Sequence, residues 1–325
     1  MPASGRPARR FVLLAGGLGG ARLAPALARV LGPGRLTVIA NVGDDLEWMG
    51  LRVCPDLDSI TYALAGLWNG RRGWGRRGET FQVREALAAL DHRIWFGVGD
   101  RDLALHLTRT SLLRSGRTLT QATRGVVHRF GIRGVDVVPA SDASARTRFR
   151  LSDGRVLGFQ EWYVRERARP LVLETLLGRA PASASALQAL GAADVVVLGP
   201  SNPITSLATM LALSGMKAAV GTVPRRIAVS PVVLGRSSSS RAIAHHARAR
   251  RRVLHAAGGR DRPDSIARRY AGLVETFVVD RRDEAQADGV RRAGLEPVLS
   301  ELLDERMLAR TIVAVASRRP SLPPN

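Results

Sequence analysis

Cysteine, lysine and aromatic residues are scarce in this chain of 325 residues, and each scarcity excludes a class of protein. The single cysteine, Cys54, rules out an intrachain disulfide framework and a cysteine-rich zinc site. Aromatic residues make up 5% of the chain, and the basic runs lack interleaved Phe or Tyr for base stacking. The sequence has no apolar run of 18 residues and no signal peptide, so we expect a soluble, cytoplasmic protein without membrane contact.

Positive charge is in large excess, with a formal net charge of +21. Lys217 is the only lysine, and the arginines are scattered from Arg6 to Arg319. This scatter indicates the codon usage of a GC-rich genome and not a nucleic-acid-binding stripe, so we expect no nucleic-acid partner. A broadly positive surface would still attract anionic substrates.

The run of glycines that follows the first apolar segment is the most informative stretch. Gly16, Gly17, Gly19 and Gly20 stand where a strand would turn directly into a helix. Glycine allows close approach of a ligand to the backbone, and free amides at a helix start attract anions. We predict a phosphate-binding loop, with a plain tight turn as the alternative. The pattern is not a Walker A loop and only resembles the dinucleotide fingerprint.

Paired carboxylates follow the second apolar run, residues 36–40. Asn41, Asp44 and Asp45 come after it, and ligands bind beyond the carboxyl ends of parallel strands. Asp44 and Asp45 are therefore predicted to hold Mg²⁺ near the glycine loop. The alternative is that both aspartates cap the next turn. Further along, Asp56 and Asp58 stand near a helix start, where capping and dipole stabilisation could also explain them.

Two later segments carry polar residues suited to ligand binding. Asp100 and Arg101 could present a carboxylate and a guanidinium, although an Asp-capped helix with an internal ion pair explains them as well. His106, four residues after Asp102, is interpreted as part of a surface helix pair. After the apolar run 195–198, Ser201 and Asn202 can hydrogen-bond a nucleotide, the alternative being a simple turn.

Strand-like and helix-like runs alternate along the chain, which predicts an α/β fold with a doubly wound, Rossmann-like parallel sheet. We predict a nucleotide-binding core at 10–100 and 191–317, an inserted α+β subdomain at 101–190, and disordered tails at 1–9 and 318–325. Strands are predicted at 11–15, 36–40, 194–198, 226–230 and 276–279, with short β runs in the insert near 134–138, 146–150 and 155–160. Helices are predicted at 20–31, 57–67, 102–114, 118–129, 204–213 and 303–316.

These motifs, taken in order, resemble those of the 2-phospho-L-lactate transferase family, including its bacterial phosphoenolpyruvate-type members. The matching segments are 16–20 (GGLGG), 41–45 (NVGDD), 55–58 (PDLD), 99–104 (GDRDLA), 141–142 (SD), 159–161 (FQE) and 199–206 (GPSNPITS). The chain departs from the family at 235–252, where a serine and arginine run precedes His245 and His246. Neighbouring histidines in an arginine-rich helix are expected to be solvated.

The resemblance implies a magnesium-dependent step of coenzyme F-420 biosynthesis. A phospholactate, phosphoenolpyruvate or phosphoglycerate group would pass from a guanosine-diphospho-acid to the ribityl hydroxyl of Fo, a riboflavin-like deazaflavin, releasing GMP. It implies a homodimer with no membrane partner. The implied roles are nucleotide binding by Gly16, Gly17, Gly19, Gly20, Ser201 and Asn202, Fo binding by Asn41 and Asp58, metal binding by Asp44 and Asp45, and catalysis by Asp45, Asp58, Asp100 and Arg101.

Two other classes of protein stay open at this stage. One is a related nucleotide-binding regulator, which would lack the segments at 55–58 and 99–102. The other is an NAD-linked or nucleotide-sugar Rossmann enzyme, which is disfavoured because the second strand does not end in a lone ribose-binding acid.

Overall fold

The computed structural model describes residues 9–70, 72–235 and 241–318. The predicted disordered tails lie outside these residues, except for Arg9 and Arg318. The strands are β1 Phe11–Ala15, β2 Leu36–Ala40, β3 Leu46–Trp48, β4 Leu51–Val53, β5 Val135–Pro139, β6 Arg148–Leu151, β7 Val156–Gly158, β8 Val172–Leu176, β9 Val195–Leu198, β10 Arg225–Val229, β11 Thr276–Asp280 and β12 Glu296–Ser300. The helices are α1 Gly17–Leu31, α2 Pro55–Leu64, α3 Gln82–Ala89, α4 Asp100–Arg114, α5 Leu119–Arg129, α6 Ala184–Gly191, α7 Thr209–Leu211, α8 Met216–Thr222, α9 Arg241–Ala256, α10 Pro263–Ala267, α11 Ala287–Arg292 and α12 Glu305–Ser317.

A seven-stranded parallel sheet forms the centre of the fold, in the order β12-β11-β10-β9-β1-β2-β5. All five residues of β1 are buried, because the strand lies inside the sheet beneath flanking helices. Helix α1 packs against α2 and α12. The predicted α/β class is confirmed. The strand order reverses between β1 and β9, and such a switch point opens a crevice at the carboxyl ends of the strands.

Two features of the sheet differ from the sequence-based prediction. Strand β5, predicted inside the inserted unit, pairs in parallel with β2 at the edge of the central sheet. Its Val137 and Val138 are buried there, so apolar packing stabilises the strand at the edge of the sheet. Strand β12 was not predicted, because its residues alternate poorly and only Ser300 is fully buried.

Smaller sheets lie outside the central one. The three-stranded antiparallel sheet β7-β6-β8 comes from the segment predicted as an insert, and β3 and β4 form a separate hairpin. None of the helices in the described part of the chain is both long enough and apolar enough to span a bilayer.

Candidate active site between two cavities

Two cavities lie at the carboxyl edge of the sheet. The first has a volume of about 320 Å³ and is walled by the start of α1, the loop after β9, the loop after β10 and α9. The second, of about 370 Å³, is walled by the start of α2, residues 72–75, residues 159–164 and α9. Both cavities share a set of lining residues: Gly17, Leu18, Asp44, Phe159, Ile243 and His246. Ligands bound in the two cavities would therefore meet at this junction.

Asp44 is the carboxylate at the junction. It follows β2 and is 6% exposed, and its Oδ1 has no hydrogen-bond partner. Burial raises the pKa of Asp44 well above its usual value, and the carboxylates of Asp56 and Asp45 add to that rise. A buried carboxylate oxygen that faces other acids and lacks a donor is a position that a cation would stabilise.

Asp45 points the other way. Its Oδ2 accepts hydrogen bonds from Arg52 Nη2 at 2.8 Å and from the Cys54 thiol at 3.2 Å, and it lines neither cavity. Burial raises the pKa of Asp45 to about 6, although Arg52 opposes the rise. Cys54 is buried, as expected for a small hydrophobic residue, and burial raises the pKa of its thiol. The predicted metal pair is thus divided between a cavity wall and the interior.

Asp56 ties three elements together below the junction. Capping of α2 is one explanation that the sequence offers for Asp56, whereas its carboxylate accepts from the Gly17 amide, at the start of α1, at 2.7 Å, and from Asn41 Nδ2 at 2.9 Å. Burial raises the pKa of Asp56 to about 6 against these two hydrogen bonds. Asn41 also accepts from the Gly43 amide at 2.9 Å, is fully buried, and lines neither cavity. The predicted Fo contact of Asn41 is therefore not in a cavity wall.

The glycines at the start of α1 are required for different physical reasons. Gly17 has a φ of +60° and faces the cavities, whereas a Cβ on Gly19 would lie 1.9 Å from the Pro200 carbonyl oxygen. A Cβ on Gly20 would lie 2.7 Å from the Cβ of Ala15. Gly19 and Gly20 thus allow close packing within the protein.

Protein groups already occupy two amides at this helix start. Gly16 donates to Ser201 Oγ at 2.9 Å, and Gly17 donates to Asp56. The next two residues, Leu18 and Gly19, line the first cavity, and by their position in the first turn their amides have no intrahelical partner.

Ser201 and Asn202, which the sequence predicts to bind a nucleotide, both line the first cavity. Asn202 Oδ1 also accepts from the amides of Ile204 and Thr205, at 2.9 and 3.2 Å, and so caps the π-helical segment Pro203–Ala208. One side chain therefore shapes the loop and leaves its amide nitrogen for a ligand.

A buried polar chain stands in the wall of the second cavity. Asp58 receives both terminal nitrogens of Arg109, one of them at 3.1 Å. His106 lies between two carboxylates, with Nδ1 3.6 Å from Asp58 Oδ2 and Nε2 3.7 Å from Asp102 Oδ2. Tyr62 donates to Asp102 at 2.7 Å. The interpretation of His106 as a surface residue is wrong, since it is 1% exposed. Burial lowers the pKa of His106 to about 4 and raises that of Asp102 to about 7.

Asp58, Asp102 and His106 could hold a metal ion, because one ligand atom from each lies within 4.8 Å of the others. Two of these groups already have strong partners, since Arg109 takes both oxygens of Asp58 and Tyr62 takes one of Asp102. The free oxygen of Asp44 faces no such competitor.

Asp100 and Arg101, predicted as catalytic, line neither cavity. The Asp100 carboxylate accepts from the Thr80 hydroxyl at 2.5 Å and from the amides of Gln82 and Val83 at 3.0 and 3.1 Å. These two amides begin α3, so Asp100 caps that helix. Arg101 is exposed on the first turn of α4.

Aromatic side chains, rare in the chain, gather in the second cavity. Trp74, Phe96, Phe159 and Tyr163 line it, and the last two rings stack at 5.3 Å with an interplanar angle of 11°. The sequence analysis missed this wall because its members are far apart in the chain. Because the chain has so few aromatic residues, each of them could have been considered as a candidate ligand contact from the sequence.

Helix α9 also contradicts an expectation. His245 and His246 were expected to be solvated, but His246 lines both cavities and His245 Nε2 lies 3.1 Å from the Tyr163 carbonyl oxygen. Arg250, one turn later, lines the first cavity and is held by Asp261 through two hydrogen bonds of 2.7 and 3.1 Å. The preceding serine run, 236–240, lies outside the described residues.

This architecture defines a Rossmann-like α/β protein whose ligand crevice opens at the switch point of a parallel sheet. Residues 11–317 match the family described as 2-phospho-L-lactate transferase CofD. The chain belongs to this transferase family, so the resemblance found in the sequence is confirmed.

Known relatives agree with this assignment. A phosphoenolpyruvate transferase of Streptomyces griseus is 38% identical and covers 88% of this chain and 90% of its own length. Another, from Kitasatospora aureofaciens, is 35% identical, and the match covers 95% of this chain and 98% of the relative. A crystal structure of a UPF0052 family protein from Bacillus halodurans has a TM-score of 0.59 and 16% identity, and covers 95% of this chain and 100% of that chain. At that identity the likeness shows the fold alone.

Proposed function

We propose that this protein transfers a phospho-acid from a guanosine-diphospho-acid to the ribityl hydroxyl of Fo and releases GMP, in coenzyme F-420 biosynthesis. The junction of the two cavities at Asp44 carries this proposal, because a group-transfer enzyme needs two substrate sites that meet at one point. The names of the relatives favour phosphoenolpyruvate as the acid over phospholactate or phosphoglycerate.

The chemistry of each cavity suits one substrate. The first has Ser201, Asn202, Arg22 and Arg250 in its wall, which are donors for phosphates and ribose. The second is lined by aromatic rings, which suit the flat deazaflavin of Fo. A nucleotide-binding regulator would bind GDP without Fo.

We assign the magnesium ion to Asp44, whose unpartnered buried oxygen fits a hard cation. When bound there, the ion would neutralise charge on the diphosphate. Asp45 favours a cation at this position, because its carboxylate adds negative charge near Asp44 while Arg52 holds its Oδ2 in place.

In the proposed step, the ribityl hydroxyl oxygen bonds to the phosphorus beside the acid, the bond from that phosphorus to the bridging oxygen breaks and GMP departs with that oxygen, and the hydroxyl proton is released to water. Of the three carboxylates with an implied catalytic role, Asp45 and Asp100 line neither cavity. Asp58 does line the second, and Arg109 fixes its orientation. We therefore assign Asp58 to bind and orient the hydroxyl.

The test is incubation with Fo, Mg²⁺ and each of the three guanosine-diphospho-acids, with mass detection of the product. We expect product with at least one acid, and a loss of at least about a hundredfold in Asp44→Asn, since a metal ligand is removed. Asp288→Asn, a matched change at an exposed side chain, should retain activity. GDP binding without Fo binding or turnover would favour the regulator instead. The homodimer is a further proposal, which sedimentation analysis can check.

A further inference from the structure

His246 is the one side chain at the junction, within the described residues, that offers nitrogen donors beside Asp44. It lines both cavities, and its Cε1 would lie 3.9 Å from a Cβ placed on Gly17. Its ring is thus beside the start of α1, where backbone amides face the first cavity. Neither ring nitrogen has a hydrogen-bond partner among the described residues.

The surroundings hold this ring in place without using its polar atoms. The Tyr163 ring packs edge-on against His246 at 6.2 Å, and the ring of neighbouring His245 lies tilted by 35° against the same tyrosine at 4.6 Å. His245 also contacts the Tyr163 carbonyl, so two successive residues of α9 are anchored to one aromatic residue. The conformational entropy of the imidazole is therefore lost on folding and not on ligand binding.

The charges around His246 keep it a neutral donor. Burial, together with the charges of Arg250 and His245, lowers the pKa of His246 to about 4, and Asp261 opposes this fall. Tyr163 is uncharged at neutral pH, since burial raises its pKa to about 12. A neutral imidazole carries one N–H, which can donate to a phosphate oxygen.

We propose that His246 contacts the substrate by donating a hydrogen bond to the second phosphate of the guanosine diphosphate, the phosphate that is transferred. This inference rests on the proposed function, because that phosphate must lie at the junction when the hydroxyl of Fo attacks it. Arg250, one turn along the same helix face and held by Asp261, would contact the phosphate nearer the guanosine.

The test compares GDP with GMP by calorimetry, since GMP lacks the phosphate in question. His246→Leu keeps an apolar contact with Tyr163 and removes the donor, so GDP affinity should fall about ten- to a hundredfold while GMP affinity is unchanged. His246→Gln retains an N–H donor and should recover much of the loss. His255→Leu, on the exposed end of the same helix, is the matched control and should bind both nucleotides normally.

Turnover gives an independent readout. In the transfer assay His246→Leu should lower kcat and leave the KM for Fo unchanged. Equal losses of GDP and GMP affinity, or unaltered GDP affinity, would overturn the role of His246 even if the unaltered protein turns over. If the unaltered protein binds GDP through His246 but transfers nothing to Fo, the proposed function fails while the phosphate contact stands.

Discussion

At the scale of single residues, the partner of each buried carboxylate decides its role. Asp44 Oδ1 has no donor and lies in a cavity wall, Asp45 holds Arg52 and Cys54 through Oδ2 while its unpartnered Oδ1 lines neither cavity, and Asp58 is held by Arg109. All three are almost fully buried, so burial alone does not distinguish them. Of the three, Asp44 alone combines a place in a cavity wall with an oxygen that has no hydrogen-bond partner, so a cation can bind there without displacing a protein donor.

Removing one partner of the buried Asp58–Arg109 pair should destabilise the protein strongly, because the other partner keeps an uncompensated buried charge. Arg109→Met leaves a buried carboxylate unpaired, which we expect to lower the free energy of unfolding by about 3–5 kcal/mol. Urea denaturation measures this loss. Adding Asp58→Asn to Arg109→Met should recover most of it, because the uncompensated charge disappears.

The control for that prediction is a surface pair of the same types. Arg150 and Glu174 are half exposed, at 52% and 54%, so Arg150→Met should cost no more than about 1 kcal/mol. Similar losses in Arg109→Met and Arg150→Met would show that the buried pair has no special weight.

At the scale of secondary-structure elements, the start of α1 depends on close packing. Gly19 lies against the Pro200 carbonyl, and the loop after β9 thereby contacts the helix. In the same loop, the hydroxyl oxygen of Ser201 accepts a hydrogen bond from the Gly16 amide. The geometry of the first cavity therefore follows from contacts between two chain segments that each end a strand.

Gly19→Ala should therefore cost stability, by at least about 3 kcal/mol, because the new Cβ overlaps a carbonyl oxygen that cannot move freely. Gly17→Ala should cost only about 1–2 kcal/mol, the strain of a positive φ in open space. Gly32→Ala, at φ +82° with nothing within 4 Å, matches that strain away from the cavities. Thermal or urea unfolding compares the three. A Gly19→Ala protein as stable as Gly32→Ala would contradict the packing account.

At the scale of the whole molecule, buried acids make stability depend on pH. The pKa values of Asp45 and Asp56 are raised to about 6 and that of Asp102 to about 7, in each case chiefly by burial. The folded protein therefore binds more protons than the unfolded chain between about pH 4 and pH 7. Across this window their contribution to stability falls as the pH rises.

We expect the metal-free protein to be less stable at pH 7.5 than at pH 5 by on the order of several kcal/mol from these groups. Urea denaturation in the presence of a chelator measures the difference. Asp45→Asn should reduce it, because that site no longer titrates. Stability that rises across the same window in the chelated protein would be the contrary result.

The excess of positive charge is also a property of the whole molecule. Many arginines of the described residues pair with acids on the surface, as Arg155 does with Asp153 and Arg291 with Asp288. We expect duplex DNA binding to be weak, without sequence preference, and lost between low and moderate salt. Fluorescence anisotropy at several salt concentrations checks this. A tight, sequence-selective and salt-tolerant complex would contradict the enzyme assignment.

The sequence by itself determined the fold class, the strands β1 and β2, and the family, because these depend on local apolar runs and on motifs of adjacent residues. It also identified Asp44 as a candidate ligand, since a carboxylate after a parallel strand faces the crevice. Only the tertiary structure decided which carboxylate presents an unpartnered oxygen to a cavity, that β5 joins the central sheet, that His106 is buried and that His246 lines both cavities. Those outcomes depend on contacts such as Asp58 with Arg109, 51 residues apart, and Gly16 with Ser201, 185 residues apart. Local pattern carries no information about such pairs, because burial and hydrogen bonding are set by whatever segment packs opposite.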